Sequence, residues 1–336
     1  MRKRLLLLLA VVVATLTAAG AQAYTAFQQS NASQAAAPEV EVAFAGALPA
    51  APFVIFRNTA EGHGFGQAAT ASLAEPNGQR TLLGTSCDRV YAARNLISCL
   101  STKNGIPTTF EAATYNGSLQ QQAGWALGGI PNRTRVSTDG SLVATTVFVA
   151  GHSYASSGFS TQTVISPADG SAHTNLEDYS LIDNGARIKA SDRNIWGVTF
   201  SPGKPNEFYA TASSQGNIWL VHGDITARTL SVAATGVECP SISPDGQRIA
   251  FKKSTSGTLA GSREPAVLDL ATGNVTVLGE RRDLDDQIEW LDNATILYGI
   301  PRNDAGKDSD VWSLSIAADA APQLFIEHAW SPAVVR

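Results

Sequence analysis

Glu238-Cys-Pro-Ser-Ile-Ser-Pro-Asp-Gly-Gln-Arg-Ile-Ala-Phe-Lys-Lys253 decides how this chain folds. Cys239 to Ser243 reads as a short strand and Arg248 to Lys252 as a second, with Ser243-Pro244-Asp245-Gly246 between them as a tight turn. Pro presets φ at the first central position of such a turn, and Gly accepts the positive φ that closes it. Downstream, Ala266-Val-Leu-Asp-Leu270 reads as a third strand, Ala271-Thr-Gly-Asn274 as a turn and Val275-Thr-Val-Leu278 as a fourth strand. Four short strands joined by tight turns form the repeating unit of a β-propeller.

The same order recurs outward from this unit. Arg135-Val-Ser-Thr-Asp-Gly140 opens an earlier blade, Val198-Thr-Phe-Ser-Pro-Gly203 another, and Ile288-Glu-Trp-Leu-Asp-Asn293 the last. Six turn signals punctuate the chain at Asn77-Gly78, Asn116-Gly117, Asp169-Gly170, Gly223-Asp224, Thr272-Gly273 and Ala318-Asp319. From glycine to glycine the first four gaps are 39, 53, 53 and 50 residues, and Gly273 to Asp319 is 46. Spread over residues 39–336, six blades take about 50 residues each and seven about 43, so the spacing favours six. The expected fold is all-β, a six-bladed propeller of four-stranded antiparallel blades. A ring must be sealed, because an open blade leaves a strand edge unpaired. The first blade starts at its second strand, Phe53-Val-Ile-Phe56, and Ser331-Pro332 resembles the innermost-strand turn of other blades. The C-terminus is therefore expected to complete blade 1.

Before the blades, Arg2, Lys3 and Arg4 form a basic region, Leu5 to Ala19 an apolar run, and Ala21-Gln22-Ala23 a small-x-small cleavage pattern. This is the signature of an export signal, with cleavage expected after Ala23. Residues 24–38, rich in Ala, Gln and Ser, read as a disordered linker. Loss of the three N-terminal cations takes the net charge from −5 to −8, which leaves no basic footprint for nucleic acid. Membrane contact is expected only through an uncleaved N-terminus, and the ring is expected to be a monomer.

Cys87 and Cys99 flank a plausible hairpin bending near Ala93, which sets them roughly opposite each other. An exported chain allows either a disulfide there or two buried thiols in adjacent strands. Neither these nor Cys239 shows metal-ligand spacing.

The Ser-Pro-Asp-Gly turn followed by Arg-Ile-Ala-Phe resembles the repeat of TolB-type propellers, as do Asp286-Gln-Ile-Glu-Trp290 and Leu268-Asp-Leu-Ala-Thr-Gly273. More closely, the chain is similar to exported TolB-like proteins of actinobacteria, often described as translocation proteins. The resemblance covers most of residues 130–336 and implies an exported six-bladed propeller that binds other envelope proteins. In the best-known members the propeller docks a peptidoglycan-associated lipoprotein and follows an N-terminal α/β domain; here only a short linker separates signal from blades.

Several constellations bear on chemistry. Gly151-His152-Ser153-Tyr154-Ala155 follows an apolar strand, as the nucleophile elbow of hydrolases does. That elbow needs a helix directly after the serine, whereas Ser156 to Val164 reads as loop then strand, so a polar hairpin loop is expected. Histidines 63, 152, 173, 222 and 328 are scattered one to a blade or loop and read as solvated. Arg248, Lys252 and Lys253 read as edge charges. Setting Ser137, Ser201, Ser243 and Trp290 as equivalent first-turn positions places Asn132, Trp196, Glu238 and Asp285 at one common blade position, five residues earlier. Equivalent positions in a propeller lie on a circle, here where each chain enters its innermost strand. With Asp283, Asp286 and Glu289 nearby, this rim is expected to be acidic and aromatic, suited to a basic peptide segment or a cation, or else solvated and partly neutralised by Arg281, Arg282 and other nearby bases.

These readings point to an exported, non-catalytic binding or scaffold propeller with a protein or peptide partner from the envelope at the channel mouth. No catalytic residue, cofactor or metal is expected. The competing class is a secreted metal-assisted hydrolase or lyase acting on carbohydrate or lactone, which needs three or more His, Asp or Glu side chains converging at the axis. A third is a structural surface protein held by its uncut N-terminus.

Overall fold

A computed structural model describes residues 2–35, 40–149, 160–257, 261–302, 307–317 and 319–336. Six sheets form the blades of a six-bladed propeller. Blade 2 comprises Arg89–Ala93, Leu96–Lys103, Thr109–Asn116 and Gln121–Leu127, and blade 3 Ile130–Val136, Leu142–Phe148, Thr161–Pro167 and Thr174–Asn175. Blade 5 comprises Glu238–Ile242, Arg248–Ser254, Arg263–Asp269 and Val275–Val277, and blade 6 Glu289–Trp290, Thr295–Pro301, Ser309–Ser315 and Gln323–Ile326. The five turn signals that lie wholly within the described residues fall at or beside the junction of the third and fourth strands of blades 1 to 5. Gly223-Asp224 forms the end of its third strand, and Ala318 lies outside the described residues.

Blades 1 and 4 exceed four strands. In blade 1, Val42–Phe44 pairs in parallel with Arg80–Ser86 and covers the outer edge. In blade 4, Ser180–Asp183 pairs in parallel with Thr229–Thr235 and carries Ala186–Arg187 beyond it, outside the four strands Asn194–Phe200, Glu207–Ser214, Asn217–Asp224 and Thr229–Thr235. The long interval from Gly170 to Gly223 holds this insertion.

The ring closes as expected. Ala329–Val335 is the innermost strand of blade 1 and runs antiparallel to Phe53–Asn58, with Phe53 opposite Val335 and Ile55 opposite Ala333. One detail differs: Ser331-Pro332 lies within this strand, not at a turn after it. The ladder shifts register there, as it does at Gly197-Val198 and Cys239-Pro240 in blades 4 and 5. Ser331, Gly197 and Cys239 have φ of 57°, 68° and 50°, so the three are equivalent bulge residues. Ser331-Pro332 thus corresponds to Cys239-Pro240 of blade 5 and not to the turn at Ser243-Pro244, because Pro suits a bulge as well as a turn.

The core lies between blades. Val54, Phe56 and Leu82 of blade 1 pack with Leu297, Val311 and Ile326 of blade 6. Ala144 and Ile165 of blade 3 meet Phe208 and Val221 of blade 4, and Ala250 and Val267 of blade 5 meet Trp290 and Tyr298 of blade 6. A blade buried on both faces explains why Phe53 to Phe56 is continuously apolar and not alternating.

Arg2–Ala35 is one helix, within which Leu8–Gln28 is long and apolar enough to cross a membrane. An N-terminal signal sequence has the same property. The apolar helix thus extends beyond the run expected from Leu5 to Ala19, and the stretch expected to be linker is helical as far as Ala35. Ala and Gln are strong helix formers, and no Gly or Pro interrupts residues 21–37.

Candidate functional site at the channel mouth

Each innermost strand begins at one end of the ring, and four of the expected rim residues meet there. Asn132, Trp196, Glu238 and Asp285, from blades 3, 4, 5 and the approach to blade 6, line one cavity of about 300 Å³. Their common location depends on the folding of the ring, since they span residues 132–285. The register differs by one from the expected one. Trp290 pairs with Ile296 and Leu291 N–H donates to Thr295 O, as Ile242 pairs with Ile249 and Ser243 N–H donates to Arg248 O. Leu291 is therefore the partner of Ser243, and Asp286 occupies the strand position of Glu238.

Asp286 is turned inward and fully buried. Its carboxylate accepts the backbone N–H of Gly299 at 3.1 Å and of Ser331 at 2.8 Å, and lies 3.6 Å from Arg89. It ties blade 6 to the closing strand. Burial raises its pKa, with Arg89 and Arg133 opposing. Glu289 is buried too, ion-paired with Arg135 and accepting the Tyr91 hydroxyl at 3.1 Å. Arg135 stacks over the Tyr91 ring at 4.6 Å. Both acids belong to the interior of the ring and not to the rim.

The mouth itself is not acidic. Arg133 and Lys252, 6% and 2% exposed, line it together with Arg263, giving three cations against Glu238 and Asp285. Glu238, nearly buried, lies 3.4 Å from Arg263, and burial raises its pKa against that attraction. The Asp285 side chain is 79% exposed, 3.5 Å from Lys252 and 3.7 Å from Arg133, and both cations also donate to its main-chain carbonyl. Lys252, then Arg133 and Arg89, hold its carboxyl well below the usual carboxylate range. Burial lowers the Lys252 pKa, with Arg133 adding repulsion. The acids of the mouth are thus countered by nearby bases, as in the second of the two expected rims; those bases are Arg133, Lys252 and Arg263, and not Arg281 and Arg282. The latter pair with Glu264 and Glu280, and Asp283 accepts the backbone N–H of Arg263.

No protein-family model matches the sequence, and no curated protein sequence resembles it. Solved structures do match. TolB from Acinetobacter baumannii superposes with a TM-score of 0.59 at 15% identity, covering 85% of this chain and 67% of that one. A chain of a nidogen/laminin complex gives 0.56 at 10% identity, covering 84% and 98%. A puromycin-hydrolyzing peptidase of Mycobacterium tuberculosis gives 0.50 at 10% identity, covering 83% of this chain and 44% of that one. The chain shares the six-bladed β-propeller fold of these structures.

In this six-bladed ring, two other sequence expectations change. Lys252 is not an edge charge: the strand Arg248–Ser254 is second in its blade and covered on both faces. Its partner Asp285 is 33 residues away and Arg133 lies 152 residues from Asp285, so no local pattern announces either cation. Among the described residues the histidines do not converge. His173 bonds Ser166 at 2.6 Å, His222 bonds Glu207 at 2.9 Å, and His63 packs against Phe44. His328 is buried and bonds Asp308 at 2.8 Å, so it is not a solvated loop residue. His152 and the Gly151–Ala155 stretch lie outside the described residues. Cys87 and Cys99 are joined by a disulfide with Cα atoms 5.4 Å apart, and Cys239, a free thiol, lines the mouth.

Proposed function

We propose that this protein is an exported, non-catalytic binding module that receives a segment of an envelope or extracellular protein at the channel mouth. The carrying observation is the cavity that side chains from blades 3, 4 and 5 and from the approach to blade 6 build together. A rigid ring holds such groups in place before a partner arrives, which lowers the ordering cost of binding. The apolar N-terminal helix supports export, and the likeness to a TolB propeller and to a propeller within a nidogen/laminin complex supports a protein-binding role.

The metal-assisted alternative requires three donor side chains around one point. Among the described residues no group of three His, Cys, Asp or Glu is placed to hold a metal ion. Affinity capture from the native envelope with the full chain tests the binding role. Asp285→Lys, which adds bulk and a fourth cation at the mouth, should change the amount of partner captured while leaving the melting temperature within a few degrees. Capture unaltered by this change would move the binding surface elsewhere.

A further inference from the structure

We infer that the channel mouth recognises the C-terminal end of a peptide, with its free carboxylate on Arg133 and Lys252 and its last amide N–H toward Glu238. The inference rests on the mouth being the binding surface proposed above. Three observations on the cavity carry it.

First, the cavity wall carries one more cation than anion, and two of its cations are nearly buried. A buried charge without full pairing is costly, and an incoming carboxylate supplies what the wall lacks. Second, the wall has unmet hydrogen-bonding capacity of both kinds: Arg133 Nε, a donor, and Glu238 Oε1, an acceptor, are buried and have no partner. A plain carboxylate, or a phosphate ester in its fully ionised form, would answer only the donor. A carboxylate next to an N–H answers both, and that pairing is what the last residue of a peptide presents. Third, the anion position is already held by a replaceable group. Asp285 keeps its side chain 79% exposed and its carboxylate 3.5 to 3.7 Å from Lys252 and Arg133, at or beyond the hydrogen-bond limit. It shields the two cations while the mouth is empty and can swing into solvent when a better carboxylate arrives. Trp196 and Phe148 on the same wall offer apolar surface to the last side chain.

The test uses the full chain and two pooled probes, N-acetyl-Ala-Ala-Xaa with every residue type at Xaa, one pool as free acids and the other as C-terminal amides. Equilibrium dialysis with mass spectrometry reads which peptides are retained, and slower alkylation of Cys239 by neutral iodoacetamide shows that retention is at the mouth. Free acids should be retained at least tenfold more tightly than their amides. Lys252→Met should erase that difference, and Asp285→Asn should increase retention of the acids by removing the internal competitor. Equal retention of both pools, or of neither, overturns the inference. If envelope capture persists and remains sensitive to Asp285→Lys, the binding role stands and only the ligand class fails; if capture ignores the mouth, the binding role fails as well.

Discussion

Asp285 and Asp286 are neighbours in the chain and opposites in the structure, and the two regions they serve divide the work of the ring. Asp285 stands at the mouth, mostly exposed, with cations at 3.5 to 3.7 Å. Asp286 stands in the closing seam, fully buried, with two backbone N–H groups and Arg89 directed at its carboxylate. The same side chain is replaceable in one place and structural in the other. What differs is water: an exposed carboxylate can exchange its protein partners for solvent at little cost, whereas a buried one cannot.

The contrast breaks most severely if the seam is removed outright. Deleting Trp330 to Arg336 takes away nearly all of the innermost strand of blade 1 and leaves Phe53–Asn58 as an open edge, so cooperative unfolding should be lost in calorimetry. An unchanged melting temperature would show that the strand does not close the ring. Next, Asp286→Ala strands Arg89 and the N–H groups of Gly299 and Ser331, and should cost about 3–5 kcal/mol in denaturant unfolding. Asp286→Asn, which keeps an acceptor, should cost less. Opening the Cys87–Cys99 disulfide, which lies in the apolar layer between blades 1 and 2, should cost about 2–4 kcal/mol, read as the difference between oxidised and reduced protein.

Smallest in energy, and sharpest for the comparison, is the pH response of the two acids. Asp285 has a lowered folded-state pKa, so its contribution to stability is present above the ordinary value near 3.8 and is lost as pH falls through the folded value. Asp286 has a raised one, so the folded state binds the extra proton and its contribution declines as pH rises from 3.8 through the folded value. Subtracting the stability of each Asn variant from that of the unaltered protein across pH should give slopes of opposite sign. At neutral pH, Asp285→Asn should cost less than Asp286→Ala, because the main-chain carbonyl of residue 285 still accepts from Arg133 and Lys252. Slopes of equal sign would mean that the two carboxylates share one environment.

Much of the ring was legible in the chain. The Ser243-Pro-Asp-Gly246 turn, six spaced turn signals and a missing first strand led to six blades and to a C-terminal closure. Asn132, Trp196, Glu238 and Asp285 could be grouped because repeats put equivalent positions on one circle, and an error of one residue in the last blade still reached the cavity. Nearness in sequence failed for Asp286 and Glu289, which stand one and four residues after Asp285 while their side chains turn into the ring. It also missed Arg133, Arg135 and Lys252, because a basic residue in a short strand reads as exposed unless the covering blade is known.

Turn chemistry and apolar spacing are local, so the order of residues alone dictated blade number, turn positions and the strand that seals the circle. The sign of the mouth was a different matter. It depends on which acid faces which base across 25 to 154 residues of chain and on how much water each keeps, and only the closed ring determines those distances and that burial.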